Sequence, residues 1–253
     1  MSRFARSRIL TAAVGVLAAP MLMAADGAVG RHPEEKPSTI LIGFVGGFVR
    51  HDNPNHGPVF LARHLQQGSP KDAYIQVFEN RHRRTAYKTI LRLLDHNHDG
   101  ALSNEEKAQA RIILFGQSWG GSAVVMLARD LNRAGIPVLL TVQVDSVAKP
   151  FEQDGVIPGN VAAAANFYQP RGFVHGRAVI RAADGSKTQI LGNYLFDYKN
   201  TPAKCEGMPW WERTFIPGHM HTECDSNLWR QVEGLVRQRL EPETGNVAAL
   251  PKP

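Results

Sequence analysis

Apolar positions along the chain alternate between two signatures. Short continuous runs stand at Thr39–Val45 (TILIGFV), Ala73–Phe78, Ile112–Phe115, Val138–Val144 and Ala162–Tyr168. Runs of that length, bounded by Gly, Pro and polar residues, are what strands buried on both faces look like. Between them the apolar residues recur at helical spacing, over Pro58–Gln67, Thr85–Leu94, the stretch after Gly120 (Ala123, Val124, Leu127, Ala128, Leu131) and Asn227–Leu240. Strands alternating with helices predict an α/β fold: a mostly parallel sheet with helices on both faces and its site at the strands' C-terminal ends. Farther on, Arg177–Ala182 and Lys187–Leu195 flank Asp184-Gly185, which predicts a β-hairpin excursion before the last helix.

The most informative stretch is Arg111–Arg129, RIILFGQSWGGSAVVMLAR. An apolar strand runs into Gly116-Gln117-Ser118-Trp119-Gly120, and an amphipathic helix follows. Strand, G-x-S-x-G and helix together form the context of a nucleophile elbow, in which a sharp turn lifts a serine hydroxyl out of the sheet. Gly116 and Gly120 allow close approach of strand and helix, and the Trp119 N–H is free at the helix start to face an oxyanion. The plainer alternative is a serine that only caps the helix. GQSWGG with its surroundings resembles the α/β-hydrolase superfamily on its lipase and esterase side, most strongly from Thr39 to Val147.

That resemblance implies further roles. The second oxyanion N–H comes from the loop after an early strand, here Gly46-Gly47-Phe48, with Gly47 or Phe48 as donor. The triad acid is expected at a strand end after the elbow unit, where Asp145 stands in VDSV, with Asp197 as its rival. The histidine belongs to a loop before the last helix, and two compete in GHMHTECD: His219, preferred, and His221. A different reading lets His219, His221 and Glu223 or Asp225 bind zinc for a metal-dependent hydrolase. A third keeps the hydrolase fold but as a catalytically silent, calcium-stabilised binding module. Trp210 and Trp211 are candidates to line an acyl pocket or simply to pack in the core.

A second motif lies at Asp95–Glu106, DHNHDGALSNEE. It matches the calcium loop of an EF-hand. Asp95, Asn97 and Asp99 supply oxygens at loop positions one, three and five. Gly100 makes the turn, Ala101 offers its carbonyl, Ser103 sits at nine and Glu106 is poised to bind bidentately at twelve. The alternative is a solvated Asp/Asn-rich turn. A single such loop points to a structural Ca2+ ion clamping the connection into the elbow strand, rather than to a paired sensor.

Composition changes this picture only at its margins. With 253 residues, 43% of them hydrophobic, the chain can build one full core. Arg3, Arg6 and Arg8 precede an apolar run from Ile9 to Ala24 broken by Pro20. Residues 1–25 therefore read as a secretory signal peptide rather than an uncleaved anchor. The expected domain is 26–253, exported to the periplasm or the medium, with no stable membrane span after cleavage. Cleavage takes three arginines from the formal +6. The remaining basic residues are scattered, which argues against nucleic acid. The cysteine pair Cys205 and Cys224 predicts a disulfide in an oxidising compartment, two free thiols being the alternative. The expected substrate is a small-molecule or lipid ester.

Overall fold

The structure, a computed structural model, describes residues 30–31, 37–68, 72–208, 210, 214 and 216–240. The expected signal peptide lies outside these residues, and so does Trp211. In chain order the elements are β1 (Gly30–Arg31), β2 (Thr39–Val45), α1 (Gly57–Gly68), β3 (Ala73–Glu79), α2 (Arg83–Leu94), α3 (Asn104–Ala108), β4 (Ile112–Gln117) and α4 (Trp119–Arg133). There follow β5 (Val138–Val144), β6 (Val156–Ile157), β7 (Val161–Tyr168), β8 (Arg181–Ala182), β9 (Gln189–Leu195), α5 (Pro217–Cys224) and α6 (Ser226–Leu240). Among the described residues no helix is long and apolar enough to cross a membrane.

The main sheet has the order β1-β3-β2-β4-β5-β7-β9. Six strands run parallel and the two-residue β1 pairs antiparallel at the edge. Both faces are covered, which is why the strands read as unbroken apolar runs. On β2 the period of two is plain. Ile40, Ile42 and Phe44 join the core under α2 and α4. Leu41 and Val45 join the core under α1 and α6. The chain leaves β2 for β3 on one side, then crosses to β4 on the other. A crevice opens where the strand order reverses, between the C-terminal ends of β2 and β4.

The predicted hairpin does not form. β8 pairs in parallel with β6, and β9 pairs in parallel with β7 as the last strand of the main sheet. The Asp184-Gly185 turn is held instead by Asp184, which accepts from the Ser186 N–H (3.0 Å). A short-range turn signal cannot see that β7 offers a free edge, and pairing there extends a buried sheet. The predicted strands at 39–45 and 138–144 have the observed bounds. Helices α1, α2 and α6 begin one or two residues earlier than the pattern suggests, within the usual fraying of helix ends.

Candidate active site

Ser118 stands between β4 and α4 with φ 57° and ψ −128°. A non-glycine residue in that region costs about 1–3 kcal/mol and persists only where its surroundings impose it. Here they do. The Ser118 N–H donates to the Val144 carbonyl of β5 (3.0 Å), and its own carbonyl accepts from the Gly121 N–H (2.9 Å). A Cβ on Gly116 would lie 2.5 Å from the Gly120 carbonyl oxygen, and one on Gly120 would lie 2.2 Å from that of Phe44. The elbow's two glycines are therefore required by the approach of helix to strand. Ser118 is 8% exposed, and it opens onto a cavity of about 610 Å³.

Asp145 follows β5 directly, with φ 42° and no exposed surface. Its carboxylate is fully engaged. Oδ1 accepts from the Gly176 N–H, and from the Gln169 N–H at 3.4 Å. Oδ2 accepts from Gln169 Nε2 at 2.9 Å and lies 2.7 Å from His219 Nδ1. A buried carboxylate needs such compensation. Since the carboxylate only accepts, Nδ1 carries a proton, and in the neutral imidazole Nε2 is then the nitrogen with the lone pair.

His219 is 5% exposed and lines the same cavity as Ser118. It sits in the first turn of α5, whose second residue is Gly218 after Pro217, not in a loop as expected. Proline suits the first turn of a helix, where an N–H has no carbonyl to reach. Gln117 Nε2 approaches His219 Nε2 at 3.3 Å, and Thr222 Oγ1 donates to the His219 carbonyl at 2.7 Å. Ser118 Oγ makes no hydrogen bond among the described residues.

The competing residues have other partners. His221, two positions along α5, donates from Nδ1 to the Ala203 carbonyl (3.0 Å) beside Cys205. Burial pushes its pKa down. Asp197 is exposed, and its pairing with Arg171 holds its carboxyl below the usual range. Glu223 accepts from the Gly57 N–H (2.9 Å) and faces His56 (3.2 Å) across a buried pair. The residues of the zinc reading thus spend themselves on separate partners. Among the described residues no three His, Cys, Asp or Glu side chains converge on a metal position.

At the cavity's other wall, Gly46–Val49 forms a tight turn closed by the Val49 N–H on the Gly46 carbonyl (3.2 Å), with Gly47 at φ 45°. Gly47, Phe48 and Trp119 all border the cavity. The Phe48 ring, 85% exposed, meets the Trp119 ring edge-on at 5.6 Å. Val49, Val147, Val174, Met208, Ile216 and Met220 give the cavity an apolar lining. Trp210 is exposed and is not among the lining residues. Cys205 and Cys224 form a disulfide, fastening the segment that bears Met208 to the end of α5.

The Asp95–Glu106 loop connects α2 to α3. Glu106 accepts from the N–H groups of His96 (2.7 Å) and Ser103 (2.9 Å), and these bonds lower its pKa to about 2. With Ser103 it forms a capping box on α3. Asp95 Oδ2 accepts from the Gly100 N–H (3.0 Å), Asn97 Oδ1 from the Asp99 N–H (3.0 Å) and Asp99 Oδ1 from the Ala101 N–H (2.8 Å). The other Asp95 oxygen is buried and has no hydrogen-bond partner. The helix that starts within the loop, α3, has only five residues.

Sequence reasoning passed over Gln117, Gln169, Gly176 and Asn80. Gln169 had a signal, since it directly follows β7, the strand beside the one that Asp145 follows. Gly176 had none, because a backbone N–H arriving from an irregular segment leaves no mark in composition.

No family profile and no curated protein matches the sequence. Solved structures do show likeness. An acetylxylan esterase is 11% identical, covering 82% of this chain and 100% of that one, with a TM-score of 0.41. A thermostable esterase from Pseudomonas putida ECU1011 is 13% identical over 83% of this chain and 76% of that one, TM-score 0.44. The type II thioesterase BorB from the borrelidin biosynthetic cluster is 13% identical over 85% and 98%, TM-score 0.40. With every score below 0.5, the assignment rests on this chain's own strand order and elbow. A mostly parallel sheet flanked by helices, with a strained serine between strand and helix, is the architecture expected of the α/β-hydrolase fold.

Proposed function

We propose that this protein is an exported serine hydrolase that cleaves esters bearing an apolar group. Ser118 is the nucleophile, His219 the general base and acid, and Asp145 the residue that orients the imidazole. The observation that carries the reading is the 2.7 Å contact of Asp145 Oδ2 with His219 Nδ1 at a cavity shared with a serine held at φ 57°. With Nδ1–H committed to Asp145, Nε2 takes the Ser118 proton as Oγ attacks the acyl carbonyl. The tetrahedral oxyanion is held by the Trp119 N–H and by an N–H of the Gly47–Phe48 turn. Nε2 then gives its proton to the departing alcohol, and water repeats the cycle on the acyl-enzyme. In this structure Gln117 occupies Nε2, so the Ser118 bond forms on exchange with that amide; catalytic bonds commonly tighten only in complexes.

The lining of Val147, Val174, Met208, Ile216 and Met220 supports an apolar acyl or alcohol moiety on a small-molecule or lipid ester. Calcium at the Asp95–Glu106 loop is part of the reading. Asp95, Asn97, Asp99, the Ala101 carbonyl, Ser103 and Glu106 would hold it, and the unpartnered buried oxygen of Asp95 fits a cation. Its contribution would be to stiffen the connection into β4. The disulfide and the arginine-led apolar N-terminus support export.

The Gln117–His219 contact favours one second reading, a hydrolase fold that binds without turning over. A fluorophosphonate probe separates the two. Covalent capture at Ser118, together with turnover of nitrophenyl esters of graded length, supports the hydrolase. Absence of both in calcium-loaded protein supports the binder.

A further inference from the structure

Asn80 is 5% exposed and lies just past β3, outside the cavity lining and unused by the mechanism above. Its side-chain nitrogen donates to the Gly47 carbonyl at 2.6 Å and to the Val45 carbonyl at 3.2 Å. Its oxygen accepts from Lys149 Nζ at 2.5 Å. Lys149 follows Asp145 by four residues, and its ammonium also stands 5.3 Å over the Trp119 ring. That ring meets Phe48 edge-on. Lys149 and Asn80 thus join the segment after the triad acid, the first residue of α4 and the glycine turn after β2.

From this arrangement we infer that Asn80, oriented by Lys149, is a positioning residue that makes the Phe48 N–H the second oxyanion donor. The inference rests on the serine-hydrolase reading. A planar trans peptide points its C=O and N–H in opposite directions, and the described backbone holds no cis bond. Gripping the Gly47 carbonyl therefore aims the Phe48 N–H away from Asn80, and Asn80 lies outside the cavity that Phe48 borders. The Gly47 N–H belongs to the preceding peptide, whose carbonyl on Gly46 is committed to the Val49 N–H within the turn. Lys149 sets which way the Asn80 amide faces. An ammonium only donates, so the amide oxygen must meet it, and the NH2 must then face the two carbonyls. Turned over, the amide would place its oxygen against both carbonyls and its nitrogen against a cation. Gly47 at φ 45° leaves the turn soft unless something outside grips it.

The test measures kcat and KM on a nitrophenyl ester, affinity for an alkyl boronic acid that mimics the tetrahedral adduct, and Tm, for wild type, Asn80→Ala, Asn80→Asp and Lys149→Met. Asn80→Ala is expected to lose about 10²-fold in kcat, the size of one oxyanion donor, with KM changed by less than about twofold. Boronate affinity should fall by the same factor as kcat. Asn80→Asp keeps volume and the lysine contact but donates nothing, so it should behave as Asn80→Ala. Lys149→Met should lose about 10-fold in kcat. Should Asn80→Ala not fold, Lys149→Met carries the decision. Unchanged kcat and boronate affinity in the folded variants, or full activity in Asn80→Asp, overturns the inference while active wild type leaves the hydrolase reading standing. A wild type that neither turns over nor is labelled at Ser118 overturns both.

Discussion

Two carboxylate-bearing regions of this molecule satisfy their charge in opposite ways. Asp145 has no exposed surface, and its donors come from 24, 31 and 74 residues away in sequence. The loop from Asp95 to Glu106 satisfies its oxygens from within, through bonds spanning two to ten residues. The first arrangement makes a buried, fixed negative charge whose remaining task is to hold one imidazole. The second makes a locally folded cup with one Asp95 oxygen left over. An acid enclosed by tertiary donors is held by the packing of the whole fold, whereas one enclosed by its own loop is held locally.

The largest expected effect tests the first region. Ser118→Ala should lower kcat by at least about 10⁴-fold with an unchanged circular dichroism spectrum. Asp145→Asn should lower it by about 10⁴-fold, since an amide in that place no longer selects the Nδ1–H tautomer. A fall of less than tenfold in either would remove the contrast, because Asp145 would then be merely structural.

Calcium sharpens the second region. At 100 times Kd, the ion should stabilise by about 2.7 kcal/mol, which for a domain of this size raises Tm by roughly 5–10 °C. Asp95→Ala should abolish that rise, measured by calorimetry against chelator-treated protein. A calcium-independent Tm would return the loop to an ordinary solvated turn.

Acid should distinguish the regions further. Glu106, with its pKa lowered to about 2 by the Ser103 and His96 N–H groups, contributes stability that is fully present above its usual value near 4.5. That contribution fades as pH falls from there toward 2. Glu106→Gln should flatten this part of the Tm–pH curve. The smallest effect is reserved for His221→Ala. With its ring on the Ala203 carbonyl rather than Asp145, the variant should keep kcat within about twofold of wild type, against several orders for His219→Ala.

How much was legible follows from the same contrast of near and far. The elbow was readable because strand, turn and helix are consecutive, and Gly116 and Gly120 act on their immediate neighbours. The loop at 95–106 was readable as a pattern for the same reason, though its completion by calcium is a matter for titration. The choice between His219 and His221 was not readable. They differ by two residues on one short helix, and about 200° of helical rotation sends their rings to different partners. Nor was β9 readable as a sheet strand, since the turn at Asp184-Gly185 looks like a hairpin until β7 is seen to have an open edge.

By itself, the order of apolar runs and amphipathic stretches determined a layered α/β domain with a serine at a strand-to-helix bend. Those features depend on side-chain periodicity and on backbone freedom within a few residues. Tertiary structure alone decided which imidazole meets Asp145, which amide grips the Gly47 carbonyl, and where Gly176 supplies its N–H. Each of those contacts joins segments separated by 31 to 74 residues. Hydrogen-bond geometry across such distances is set by how the layers pack, a quantity no local pattern encodes.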